Sequence, residues 1–177
     1  MATESLQFRI ATPDDAEQIQ QLVQAAFRTA DSRPGWTGLI ELASNFRIEV
    51  QEVMDKIVNP GNVVLICLDG SNTIVASIEV AKRGDCGRLS MIAVDDRYQR
   101  GGVGRRVLAY AEDYCQQTWG AEKFSLNALS TRKALIEWYM RRGYHKTGET
   151  SPFPREKFSN LALPDDMCFV ELEKNFS

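Results

Sequence analysis

The residues best suited to chemistry lie in Asp95-Asp96-Arg97-Tyr98-Gln99-Arg100-Gly101-Gly102-Val103-Gly104-Arg105-Arg106, which gathers three glycines and four arginines. An apolar run over residues 89–94 precedes it, and Val103, Val107, Leu108, Ala111 and Cys115 then recur at helical spacing. The glycines therefore fall on a strand-to-helix turn. Backbone N–H groups at a helix start lack intrahelical partners and the macrodipole adds partial positive charge, which suits phosphate oxygens. A Cβ at Gly102 or Gly104 would hold a pyrophosphate away from those amides, while Arg97, Arg100, Arg105 and Arg106 add charge that pairs with phosphate. The same composition also fits a solvated, arginine-rich helix start whose glycines serve the turn alone.

Two better-known phosphate loops do not fit. The Lys-Ser/Thr pair of a P-loop is missing, and Val107 stands where a dinucleotide-binding loop would place its third glycine after Gly102 and Gly104. Neither ATP nor NAD is favoured. Cys67, Cys86, Cys115 and Cys168 are far apart, and His145 is the one histidine. No metal site is expected, and the cysteines read as small core residues rather than as catalytic thiols.

Positioning that turn requires a sheet and its covering helices. A strand is predicted over residues 6–11, and Thr12-Pro13-Asp14-Asp15 then supplies an N-cap, a proline at N1 and two acids in the first turn. Ala16, Ile19, Leu22, Val23, Ala26 and Phe27 form one apolar stripe on the helix that follows, which ends before Ser32-Arg33-Pro34-Gly35. A second helix is predicted over residues 45–58, a strand over 63–68, a turn at Asp69-Gly70 and a return strand over 73–81. Arg83-Gly84-Asp85-Cys86-Gly87 breaks the pattern before residues 89–94, which are apolar on both faces and belong in the centre of a sheet. Downstream, an apolar-polar strand over residues 123–126 ends at Asn127, and Ser130 is placed to cap a helix that Gly143 closes.

Size and charge bound the rest. The 177 residues fit one domain over 1–177, and 44% apolar with 25% charged residues is ordinary for a globular chain. With 21 basic against 24 acidic side chains, no global positive field exists to hold nucleic acid or anionic membrane. The N-terminus has no basic leader, and no stretch approaches the roughly 20 apolar residues a membrane span needs. A cytoplasmic protein without nucleic-acid or membrane partners is expected.

Gln99, Gly102 and Gly104 occupy the defining positions of Q/R-x-x-G-x-G/A, and the chain here resembles the GNAT superfamily of N-acetyltransferases. The likeness extends to the preceding strand Leu89-Ser90-Met91-Ile92-Ala93-Val94 and to Asn127 with Ala134-Leu135-Ile136-Glu137-Trp138-Tyr139-Met140-Arg141-Arg142-Gly143-Tyr144, three ordered blocks over residues 87–145. The resemblance implies an α/β (α+β) fold with a mixed, mostly antiparallel central sheet flanked by helices on both faces, and acetyl-CoA as co-substrate. It implies that Ile92 and Val94 offer backbone groups to the pantetheine arm. Gln99, Arg100, Gly101, Gly102, Val103, Gly104 and Arg105 would hold the pyrophosphate. Asn127 would bond the pantetheine arm or, alternatively, cap the next loop.

Tyr139 matches the family's general acid. A phenol of ordinary pKa about 10 stays protonated at neutral pH yet can donate as charge develops on the departing sulfur. The same tyrosine could equally be core, and Trp138 and Tyr144 read as packing. The attacking amine must lose a proton, since a lysine-like amine is only about 0.1% neutral at about pH 7.4. Glu79, on the hairpin strand beside the central one, is the candidate base, against the alternative of an exposed carboxylate. By resemblance Trp36 and Thr37 border the acceptor pocket, although the same aromatic could just cover the core; Asp31 and Glu41 could attract a cationic amine or simply be acids near a helix boundary. The acceptor is expected to be a small-molecule amine. A peptide or protein amine and a non-catalytic acyl-CoA sensor stay open beside it, and the resemblance allows a homodimer.

Overall fold

The computed structural model describes residues 5–28, 47–98, 101–154 and 166–176. Strand β1, Gln7–Ile10, runs into a 3-10 turn at Pro13–Asp15 and then helix α1, Ala16–Arg28. The entry to α1 is held by Asp15, which accepts the Thr12 N–H at 2.8 Å and binds the Arg9 guanidinium through both oxygens at 2.8 and 3.0 Å. The Arg9 hydrogen bonds hold the Asp15 carboxyl below its usual range.

Helix α2, Val50–Val58, begins later than the sequence predicts. Positions 45 and 46 lie outside the described residues, and residues 47–49 are not helical. The reason is tertiary. The Ile48 carbonyl accepts Gln20 Nε2 at 2.8 Å and its N–H donates to Gln24 Oε1 at 3.3 Å, so α1 takes the backbone groups a longer helix would use.

Strands β2 (Asn62–Leu68), β3 (Ile74–Arg83), β4 (Cys86–Val94), β5 (Lys123–Leu129), β6 (His145–Pro152) and β7 (Cys168–Asn175) complete a seven-stranded sheet in the order β1-β2-β3-β4-β5-β7-β6. β4 and β5 pair in parallel and every other neighbouring pair is antiparallel. The mixed, mostly antiparallel sheet is thus as expected, with β4 at its centre. The break expected at residues 83–87 shrinks to two residues. Arg83 pairs with Cys86, and Gly84 turns the chain in the left-handed region at φ +63°.

Helices α3, Val103–Trp119, and α4, Lys133–Arg141, follow β4 and β5. One face of the sheet packs Leu65, Val75, Ile78, Val80 and Leu89 with Val107, Ala111 and Cys115 of α3 and with Ile136 and Tyr139 of α4. The other packs Val64, Ile66 and Ala93 with Ile19 and Val23 of α1 and Val53 of α2. Helices therefore cover both faces. Ser130 does not cap α4. Its N–H and hydroxyl bond the Cys168 backbone at 2.8 and 3.1 Å, and Arg132 takes the N-cap position.

α3 crosses β4 most closely at Gly87, where an added Cβ would lie 2.7 Å from Cys115 Sγ and 2.8 Å from its Cβ. Gly87→Ala is expected to destabilise the fold by about 1–3 kcal/mol through overpacking. Urea unfolding followed by circular dichroism checks this, with a lower midpoint and an unchanged slope as the expected result.

Candidate functional site

β4 is bonded on both sides only near its start. Cys86, Gly87 and Arg88 pair with Lys123, Phe124 and Ser125 of β5, and the pairing stops there. On the β3 side the register slips between Ser77 and Glu79, and Met91 sits in the left-handed region at φ +53°. Such a bulge bends its strand and raises its twist, which turns the end of β4 away from β5. The result is a fork in the sheet.

The fork exposes particular backbone groups. Asp95 N–H donates to Val75 O at 2.8 Å, so Asp95 and, by strand alternation, Ala93 face β3. The N–H and C=O of Ile92 and Val94 accordingly point toward the opening. Arg88 clamps the closed base: its guanidinium takes both Glu171 oxygens of β7 at 3.0 and 3.2 Å and Ser125 Oγ at 3.2 Å. On the opposite prong, β5 continues to Leu129, so Asn127 lies within the strand, paired with Glu171, and does not end it or cap a turn. Pairing with β7 supplies the hydrogen bonds that extend the strand past the predicted end.

The loop that the sequence marks as a candidate anion site starts at the tip of β4. Tyr98 N–H bonds Asp95 O at 2.8 Å, Gly101 N–H bonds Tyr98 O at 3.2 Å, and the Tyr98 hydroxyl reaches Asp69 at 3.4 Å. Gly102, at φ +80°, holds the N-cap position of α3, and Arg106 N–H to Gly102 O at 3.1 Å joins the helix to it. An L side chain at that φ is strained, although the space beside Gly102 is open. Gln99 and Arg100 lie outside the described residues, as do Trp36, Thr37, Asp31 and Glu41.

The arginines do not act as one patch. Arg97 is bound to Asp95 at 3.1 Å through both Nε and a terminal nitrogen, and Arg106 lies over the Phe8 ring at 5.5 Å. Arg105, in the first turn of α3, is exposed.

Gly104 is the meeting point of three elements. A Cβ there would lie 3.6 Å from Trp138 Cζ2 of α4 and 3.7 Å from Val94 Cγ2 of β4. The Tyr139 ring packs edge-on against Trp138 at 5.3 Å and against Tyr144 at 6.0 Å. Burial pushes the Tyr139 phenol up to about 12, against a smaller opposite pull from Arg132. Burial, with the Glu112 charge second, also raises Tyr144, whose hydroxyl donates to Glu112 at 2.7 Å. That bond was not legible in the sequence, where Tyr144 reads only as an aromatic filler.

Glu79 pairs in register with Ser90, just before the bulge. It is not an exposed carboxylate: its side chain is 13% exposed and Lys56 Nζ lies 3.0 and 3.3 Å from its two oxygens. Together they line a small cavity of about 20 Å³ beneath α1 and α2, with Ser77 and Met91. Burial raises the Cys67 thiol to about 11 and the Cys115 thiol to about 12, which leaves neither a ready nucleophile. Among the described residues no helix is long and apolar enough to cross a membrane.

Solved structures share this architecture. The ribosomal-protein-S18-alanine N-acetyltransferase of Escherichia coli superposes with a TM-score of 0.71 over 98% of this chain and 95% of its own, at 16% identity. The PaiA N-acetyltransferase of Thermoplasma acidophilum, solved with coenzyme A, gives 0.71 over 97% and 99% at 15% identity. In sequence, an amino-acid acetyltransferase of Neisseria meningitidis serogroup A is 33% identical over 81 residues, which are 46% of this chain and 17% of that protein. The sequence pattern of the acetyltransferase (GNAT) family matches residues 40–144, more than half of the chain and the whole stretch from α2 to Tyr144. The forked β4, the glycine-started α3 and α4 with Tyr139 all lie within that match, and the chain belongs to the acetyltransferase (GNAT) family.

Proposed function

We propose that this chain, as one domain, moves the acetyl group of acetyl-CoA directly onto the primary amine of a small molecule. The observation that carries the reading is the convergence at Gly104 of Val94, at the end of β4 beyond its pairing with β5, with Trp138 beside Tyr139. It joins a strand edge that β5 does not pair, a glycine-started helix whose N–H groups suit an anion, and a buried phenol. These features fit coenzyme A, which needs a polar edge for its amide arm and N–H donors for its pyrophosphate.

In this reading the backbone of Ile92 and Val94, with Asn127 across the fork, holds the pantetheine arm. The amides of residues 101–105, with Gln99 and Arg100, hold the pyrophosphate. Acetyl-CoA supplies an activated thioester. The amine nitrogen forms a C–N bond as the C–S bond breaks; the proton the nitrogen loses passes to water, and the departing thiolate takes its proton from water and ends as a thiol.

Tyr139 keeps its proton at Oη. Burial raises the phenol and so keeps it protonated at neutral pH, which makes it a reluctant acid. Its contribution is therefore a hydrogen bond to the sulfur that strengthens as charge develops there, in a buried setting. Glu79 accepts the amine's proton only if Lys56 releases it, and a water chain is the route that leaves the ion pair intact. Trp36 and Thr37 border the acceptor in this reading.

Calorimetric titration with acetyl-CoA, followed by thiol release against a panel of amines and short peptides, tests the proposal. Micromolar binding with turnover of free amines is the expected result; no binding sinks it, binding without turnover marks a sensor, and turnover of peptides alone reassigns the acceptor. Gly104→Trp is expected to abolish acetyl-CoA binding, because the indole fills the space between Val94 and Trp138.

Tyr139→Phe is expected to preserve binding and lower kcat roughly 10- to 100-fold, the worth of one hydrogen bond to a developing charge. An unchanged kcat removes Tyr139 from the mechanism.

The pH profile follows from the same phenol. Because its pKa is raised, the protonated form is fully present below about pH 10 and is lost only as pH climbs through about 12. Turnover is expected to rise with amine deprotonation, with no falling limb from Tyr139 between about pH 7 and 10. A rate that declines in that window in the parent but not in Tyr139→Phe would contradict this assignment.

A further inference from the structure

Gly104, Leu108 and Glu112 follow one another at four-residue spacing and so lie on one stripe of α3. The top of the stripe meets α4 at Trp138. Two turns further along, about 12 Å down the axis, Glu112 meets the far side of the same aromatic group. Its Oε2 accepts the Tyr144 hydroxyl at 2.7 Å, and its Oε1 lies 3.0 Å from Lys174 Nζ of β7.

Tyr144 is 2% exposed and Tyr139 is 4% exposed, and their rings meet edge-on at 6.0 Å and 65°. Their backbones are joined as well, Tyr144 N–H donating to Tyr139 O at 3.2 Å. Packing alone does not require the Tyr144 hydroxyl, since phenylalanine would fill nearly the same volume. A largely buried carboxylate is costly unless paired, and here an ammonium and a phenol are both fixed to it. The bond ties the Tyr144 ring to α3, and the Tyr139 ring packs edge-on against it.

We propose that Glu112 and Tyr144 are positioning residues for Tyr139, so that the helix that begins at the anion loop also sets the place of the phenol. The proposal rests on the reading of Tyr139 as the hydrogen-bond donor to sulfur. Neither Glu112 nor Tyr144 touches reacting atoms in it.

The test is a double-mutant cycle in the full chain, with acetyl-CoA and an acceptor panel of leucine, tyramine, spermidine and peptides ending in alanine or bearing lysine. Tyr144→Phe is expected to lower kcat about five- to tenfold, the worth of one ordinary hydrogen bond. The KM for acetyl-CoA and the calorimetric Kd for CoA should stay within about twofold, because the anion loop is untouched. In the Tyr139→Phe background the same substitution should lower kcat less than about twofold, since no hydroxyl is left to position. Glu112→Gln, which keeps an acceptor for the phenol, should restore most of the rate lost in Glu112→Leu; this pair carries the cycle if Tyr144→Phe folds poorly by circular dichroism. Parental kcat in Tyr144→Phe, or an equal loss in both backgrounds, overturns the positioning role alone. Parental kcat in Tyr139→Phe overturns the donor reading and the positioning role together.

Discussion

β4 pairs with strands on both sides over three residues and beyond them with β3 alone, at Leu89, Ser90, Ala93 and Val94, and the proposed site depends on that asymmetry. A central strand paired with β5 along its whole length would leave no opening between the two. A strand unbonded from the start would have nothing to hold the prongs in place. The base is fastened by contacts of different kinds: the Arg88 clamp to Glu171 across β5, and the close approach of α3 to Gly87. The opening lies beyond Met91, whose left-handed backbone accompanies the register slip against β3. An unbranched side chain bears that conformation at lower cost than a β-branched one.

α3 then does two jobs with one axis. Its first turn supplies backbone donors at the tip of β4, started by a glycine whose φ admits it. Its body packs the sheet through Val107, Ala111 and Cys115, and its side stripe reaches α4 at Gly104 and Glu112. Movement of α3 would therefore be felt at both the loop after β4 and the phenol. This coupling is a consequence of rigid helical geometry and needs no separate pathway.

Electrostatics in the site are more local than a count of charges implies. Four arginines cluster in sequence near the loop, yet Arg97 is neutralised by Asp95 and Arg106 is stacked on Phe8. What the described loop offers an anion is chiefly backbone N–H groups and Arg105. Glu79 is likewise engaged by Lys56, so its availability depends on an ion pair that no local pattern announces.

The sequence alone determined the elements whose causes are local. The proline and acids after Thr12 start α1, the two-faced apolar run of residues 89–94 demands the sheet centre, and the glycines before Val103 make a strand-to-helix turn. Its resemblance blocks also pointed to the family. Only the tertiary structure decided the features that need partners distant in the chain. α2 starts at Val50 because α1 takes the Ile48 backbone groups; β5 runs on to Leu129 because β7 pairs with it; and Ser130 is drawn to Cys168 and away from α4. The fork, the Lys56–Glu79 pair and the Glu112–Tyr144 bond belong to the same class. Periodicity and capping are written within a few residues, whereas a hydrogen bond between Glu112 and Tyr144 exists only once two helices and a strand have packed.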